Sequence, residues 1–186
     1  MPDDFGRYAK REYERRWLLR ALPDVLDANR PTSLITNHYL DGTRFRVRRL
    51  IRVADGKTVW KLTQKFPESA GAIDRVVITN TYLTQGEYDA FHRLPGRALV
   101  KRRWLLHLGD DDGGGGDRYG VDVFDGPLTG LITAEREYPM YDALRAAAPP
   151  SFDGIDVTHR VEFTGGDLAG KCFADLADLV DATRRR

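Results

Sequence analysis

Alternating runs of like charge are the feature of this sequence best suited to chemistry. In Glu12-Tyr13-Glu14-Arg15-Arg16-Trp17-Leu18-Leu19, a period of two puts Glu12, Glu14 and Arg16 on one face of a strand. Arg44, Arg46 and Arg48 share a face, with Phe45, Val47 and Ile51 on the other. Lys61, Thr63 and Lys65 alternate with Trp60, Leu62 and Phe66. Lys101 and Arg103 share a face, Asp122 lies between Val121 and Val123, and Glu135 and Glu137 alternate with Ala134, Arg136 and Tyr138. A solvated sheet face is the simpler reading of such alternation. A strand built for solubility usually mixes signs, however, because adjacent like charges repel. Here the signs are sorted by strand. Grouped carboxylates call for a hard cation, and oxygen ligands suit Mg²⁺ or Mn²⁺. Grouped guanidinium and ammonium groups call for an anion, and phosphate oxygens match the guanidinium fork. Together they imply a metal-bound polyphosphate.

The elements that must hold these rows are mostly strands. Each run is rich in β-branched or aromatic residues, and Asp41-Gly42 and Asp55-Gly56 are hairpin turn signals between them. Helical signals are fewer. Thr84-Gln85-Gly86-Glu87 reads as a capping box opening a helix toward Leu94, which Pro95-Gly96 ends. Pro139 starts a second helix to about Ala148. A third, from about Asp167 to Thr183, carries Leu168, Cys172, Phe173, Leu176, Leu179 and Val180 near helical spacing, and Arg184 to Arg186 suit its C-terminal dipole. A closed or nearly closed barrel reconciles the charged rows with these apolar helix faces. The charges face inward, and the apolar faces lie under helices. Trp17, Trp60 and Trp104 then read as core between barrel and helices.

Bulk properties narrow the field. The 186 residues suggest one domain over 1–186, with its core at about 10–180. Net charge is +1, which gives no general drive toward nucleic acid or anionic membrane. Nucleic acid is therefore an unlikely partner. No run approaches the ~20 apolar residues of a membrane helix, and the acidic Met1-Pro2-Asp3-Asp4 start lacks a signal core. Cys172 is the single cysteine, so no internal disulfide forms; it reads as a small buried residue and fits a cytoplasmic location. The stretch at 109–118, in which Asp110-Asp111-Asp112 is followed by Gly113-Gly114-Gly115-Gly116, reads as a flexible surface loop between strands. The four histidines are scattered without ligand spacing.

The ordered series of motifs resembles the CYTH, or triphosphate tunnel, family over roughly residues 10 to 180. Glu12 to Leu19, followed by Leu22-Pro23, is similar to the family's opening Glu-x-Glu-x-Lys with apolar residues after it. Arg46-Val47-Arg48 resembles its Arg-x-Arg strand, Leu62-Thr63-Gln64-Lys65 its next basic strand, and Lys101-Arg102-Arg103 its Lys-x-Arg strand. Asp122 to Gly126, Leu128, Gly130-Leu131 and Ala134-Glu135-Arg136-Glu137 resemble the late stretch ending in Glu-x-Glu, and Asp156-Val157-Thr158 the step before the closing helix. The resemblance implies an α+β fold: an eight-stranded antiparallel barrel with a charged tunnel, flanked by helices that include a C-terminal one. Departures from the pattern are Arg16 in place of lysine, Val77 and Thr79 where relatives carry acids, and Phe163-Thr164-Gly165-Gly166 before the last helix.

The roles that follow from the resemblance are these. Glu12, Glu14, Glu135 and Glu137 ligate Mg²⁺ or Mn²⁺. Asp122 joins them or orients a metal-bound water. Arg46, Arg48, Lys65, Lys101 and Arg103 hold phosphoryl oxygens, and Arg16 contacts substrate near the metal. The implied activity is metal-dependent hydrolysis of a small molecule bearing a triphosphate. A non-catalytic polyphosphate- or nucleotide-binding module is the alternative, and an adenylyl cyclase is a third reading that no adenine-reading element supports. A homodimer is left open.

Overall fold

The structure, a computed structural model, describes residues 8–109 and 116–185. The heart of the glycine-rich loop, residues 110–115, lies outside the described residues, as do the acidic N-terminus and the last arginine.

Nine strands make one antiparallel sheet: β1 (Ala9–Leu19), β2 (Ser33–Leu40), β3 (Phe45–Arg52), β4 (Thr58–Pro67), β5 (Arg75–Leu83), β6 (Gly96–Leu108), β7 (Asp117–Asp125), β8 (Ile132–Tyr138) and β9 (Gly154–Asp156). Their order is β5-β4-β3-β2-β6-β7-β8-β1, and β1 pairs back onto β5, so eight strands close into a barrel. Closure removes the free edges that would otherwise invite pairing with another chain. The first half of β1 pairs with β5 through Glu12↔Val76, and its second half pairs with β9 through Trp17↔Asp156. On its other side β1 pairs with β8, where Glu14 faces Glu137 and Arg16 faces Glu135. The expected turns are present: Gly42 and Gly56 both adopt φ of +69°, which glycine reaches without a Cβ penalty.

Two apolar clusters hold the barrel. Outside it, Trp17, Leu19, Trp104, Leu106, Tyr119 and Val121 pack together under Leu22, Leu26 and Phe152. The second cluster begins inside. Along β1 the inward positions are Glu12, Glu14, Arg16 and then Leu18, and Leu18 joins Leu99 and Phe124 beneath Val157, Phe163, Leu168 and Val180. The C-terminal segments therefore cover the apolar end of the interior. Each of these large side chains contributes roughly 1.5–3 kcal/mol by burial.

Helix α1 (Gln85–His92) carries the expected capping box: Glu87 N donates to Thr84 Oγ1 at 3.3 Å, and Thr84 N donates to Glu87 Oε2 at 2.7 Å. Helix α2 (Tyr141–Ala146) is shorter than expected, because Met140 is still extended. The continuous helix expected over 167–183 is split. Helix α3 (Gly165–Leu168) ends before Gly170, whose φ of +84° no helix tolerates. A 3₁₀ turn over Phe173–Leu176 then runs into the C-terminal helix α4 (Ala177–Arg184). Cys172, in the break, is half-buried rather than core, and Trp60 is likewise half-buried, unlike Trp17 and Trp104. No helix among the described residues is long and apolar enough to cross a membrane.

Candidate functional site

The inward faces of the barrel line one cavity of about 900 Å³. Ten of the eleven sequence-predicted site residues reach it: Glu12, Glu14, Arg16, Arg46 and Arg48, with Lys65, Lys101, Arg103, Glu135 and Glu137. Asp122 does not line it. Strand pairing explains the convergence, since Arg46↔Thr63, Arg48↔Lys61, Gln64↔Thr79 and Lys65↔Ile78 fix which alternate residues of each strand point inward. Of the neighbouring arginines, Arg44 is at the cavity's rim, while Arg49 and Arg52 are exposed outside it.

Three carboxylates converge. Glu12, Glu14 and Glu137 each offer an oxygen within 4.8 Å of the other two. Each ionised pair at that spacing repels by about 3 kcal/mol at an effective dielectric of about 20, so the group needs compensation. Glu12 has it: burial alone would raise its pKa, but Lys65 Nζ donates to Oε1 at 2.7 Å and holds it below the usual range. Glu14 is paired with Arg16, yet burial and then the nearby Glu135 push it up to about 7. Glu137 is raised too, by burial and then Glu12, and it enters no ion pair among the described residues. An all-oxygen group of this kind fits a hard divalent cation.

Glu135 and Asp122 do something else. Glu135 stands apart from the three converging carboxylates, between two arginines: Oε1 accepts from Arg16 Nε at 3.2 Å and Oε2 from Arg103 Nη2 at 2.7 Å. Burial opposes its charge, but Lys101, Arg16 and Arg103 hold it well below the usual carboxylate range. Asp122, expected beside the metal or orienting its water, is fully buried behind the cavity wall. Its oxygens take both arms of Arg103 at 2.6 Å and the ammonium of Lys101. It lies outside the cavity lining and is paired with two cations that do line it. Gly120 makes room for this fork, since a Cβ there would stand 3.1 Å from Arg103 Cζ.

Arg46 and Arg48 enter no ion pair with a carboxylate among the described residues. Arg46 donates through Nη2 to Thr63 Oγ1 at 3.2 Å, while its Nε is buried without a hydrogen-bond partner. Arg48 donates to Asn37 Oδ1 at 2.8 Å. Burial, then Arg46 and Arg103, push Arg48 down to about 9, so it stays charged at neutral pH in a place that disfavours charge. Lys101 is also lowered, by burial against the pull of Asp122. An anion in the cavity would relieve each of them.

Several members of the site are not apparent from the charged rows. Asn37 and Tyr39 on β2 meet Arg48 and Arg46. Burial would raise the phenol of Tyr39, but Arg46, Arg48 and Lys101 lower it. Lys61 lines the cavity beside Arg48, and Thr63 donates to Asn80 Oδ1 at 2.8 Å. The alternation of Asn37 and Tyr39 with Thr36 and His38 is a signal for β2, although it carries no charge. Strand β5 presents no acidic residue to the cavity. Val77 points outward into packing, and Val76, Ile78 and Asn80 line the cavity, so the neutral inward face belongs to these three.

No protein-family model matches the chain, and no curated protein matches its sequence. Solved structures do share its fold. A crystal structure of the hypothetical protein NE1496 is 23% identical over 87% of this chain and 99% of its own, with a TM-score of 0.54. A second, of the inorganic triphosphatase NE1496, is 22% identical over 85% and 93%, with a TM-score of 0.53. Likeness at this identity establishes a shared barrel fold.

Asp122→Asn keeps the shape and removes the charge between Lys101 and Arg103. Breaking a buried pair in this way should cost about 3–5 kcal/mol, whereas breaking the solvent-screened pair Arg52–Asp55 should cost far less. Urea unfolding of Asp122→Asn and Asp55→Asn checks the contrast, and equal small losses would contradict it.

Proposed function

We propose that this chain belongs to the CYTH family and is a divalent-metal-dependent triphosphatase acting inside its barrel. One observation carries the reading: within a single cavity, three converging carboxylates face a row of cations, one of which, Arg46, keeps a buried Nε unpaired. The fold shared with a protein described as an inorganic triphosphatase supports it.

Glu12, Glu14 and Glu137 would hold Mg²⁺ or Mn²⁺. The cation, when bound, neutralises phosphate charge and lowers the pKa of a water so that it can attack. Arg46, Arg48 and Lys101 hold the phosphoryl oxygens, and their charges are fixed in place before substrate arrives. Lys65 sits between the carboxylates and this row and can serve either. Asp122 and Glu135 keep Arg103 aimed into the cavity. The apolar cluster of Leu18, Leu99 and Phe124 excludes water at that end. A polyphosphate-binding module without turnover is the second reading, and the uncharged inward face of Val76, Ile78 and Asn80 favours it.

Orthophosphate release from inorganic triphosphate, ATP and thiamine triphosphate, with Mg²⁺ or Mn²⁺ and with chelator, separates the two. Metal-dependent release that falls about 100-fold or more in Glu12→Gln and in Arg46→Ala is expected. Metal-dependent binding of all three without turnover would leave the binding module.

The raised pKa of Glu14 sets a pH dependence with a definite sign. Below about 7 this carboxyl carries a proton that a cation must displace, so metal affinity should fall as pH drops through that value. Calorimetry of Mn²⁺ binding in buffers of different ionisation enthalpy should show proton release at about pH 6 that disappears at about pH 8.5. Equal proton release at both would contradict the assignment of Glu14 to the cation.

A further inference from the structure

Arg16 is the residue in the cavity whose position is hardest to reconcile with a ready cation site. It is 8% exposed, and its guanidinium is held on two sides. Nη2 is paired with Glu14, one of the three converging carboxylates, and Nε donates to Glu135 Oε1 at 3.2 Å. Burial works against this charge, yet Glu14 and Glu135 raise the guanidinium's pKa, so it does not leave by deprotonation. A cation that takes Glu14 must therefore displace a permanent positive charge, while Glu135 still holds the other side of the fork.

We propose that Arg16 is a built-in counter-ion that keeps the cation site shut until an anion in the cavity draws its guanidinium off Glu14. The inference rests on the reading of Glu12, Glu14 and Glu137 as the cation's ligands. A planar fork can bridge Glu14 and Glu135 at once, which a single ammonium at this position does less well. The anion that frees it has a place to bind, because Arg46 and Arg48 line the same cavity beside Lys101 and enter no ion pair with a carboxylate among the described residues, and Arg46 Nε is buried without a partner. Once phosphoryl oxygens occupy that row, Arg16 gains an alternative anionic partner and Glu14 is released to the metal. Cation and polyphosphate then bind with mutual assistance, and cation alone binds weakly. By linkage, the gain each gives the other is the same. The device would suit a hydrolase, since Glu14 would be free to hold a cation only when a phosphate is present.

The test is direct Mn²⁺ binding to the full chain, read by loss of the free-ion paramagnetic resonance signal, with and without sulfate as a non-hydrolysable tetrahedral dianion. The wild-type protein should bind Mn²⁺ weakly alone and more tightly with sulfate. Arg16→Lys keeps the charge and loses the bridging fork. It should bind Mn²⁺ about tenfold more tightly without sulfate, the size of one charge-assisted hydrogen bond, and gain less when sulfate is added. Arg16→Gln should do at least as much, and it decides the question should the lysine variant fail to fold, as thermal unfolding would reveal. Unchanged Mn²⁺ affinity in the folded variants overturns the role of Arg16 while leaving the cation site standing. No Mn²⁺ binding by any of the proteins, with or without sulfate, overturns the cation site and this inference together.

Discussion

Compensation of buried charge is the constraint on which the rest of this structure depends. The barrel interior holds more cations than carboxylates. A buried ion without a partner costs several kcal/mol, a large part of the stability of a domain this size. Asp122 meets that constraint on one side. Fully buried, it takes both arms of Arg103 and the ammonium of Lys101. Glu135 meets it on the other, shared between Arg103 and Arg16. These contacts tie β1, β6, β7 and β8 together across the interior, while the outer layer around Trp17, Trp104 and Tyr119 supplies the apolar burial that a charged interior does not.

The interior therefore divides into a saturated wall and an unsaturated front. In the wall, Asp122 and Glu135 are paired with Lys101, Arg103 and Arg16. At the front, Arg46 has a buried Nε with nothing to donate to, Arg48 is disfavoured by burial and enters no ion pair among the described residues, and Glu14 and Glu137 are raised toward protonation. Each of these departures is relieved by a ligand carrying the opposite charge. On the proposed reading, a cation and a polyphosphate would supply the charges that the front lacks, and the wall would hold the front in place before they bind. Arg16 belongs to both parts. Its fork reaches Glu135 in the wall and Glu14 at the front, the contacts on which its proposed role rests.

Much of this was legible in the sequence, because strand alternation is strict and a barrel's two faces follow from it. The like-charge rows at Glu12 and Glu14, at Arg46 and Arg48, and at Lys101 and Arg103 do point into one cavity. What was less legible needed pairing between strands. Strand β2 contributes Asn37 and Tyr39, neutral residues that leave no charge pattern to read. Alternation within β5 does not reveal whether Val77 and Thr79 or Val76, Ile78 and Asn80 face inward; the pairing of Glu12 with Val76 does. The anchoring role of Asp122 depends on two residues that stand opposite or diagonal to it on β6. The C-terminal break at Gly170 was written in the sequence as a helix stop, but the apolar spacing on either side runs through it.

The most direct measurement is anomalous diffraction at the manganese edge from crystals grown with Mn²⁺ and inorganic triphosphate, using a Glu12→Gln variant beside the native chain to slow turnover. A manganese peak among Glu12, Glu14 and Glu137 in the native crystals, weakened in the variant, with phosphorus density against Arg46, Arg48 and Lys101, is the expected result. Manganese and triphosphate bound outside the barrel, with the interior ion pairs unchanged, would show that the charged interior is a structural network and not a site.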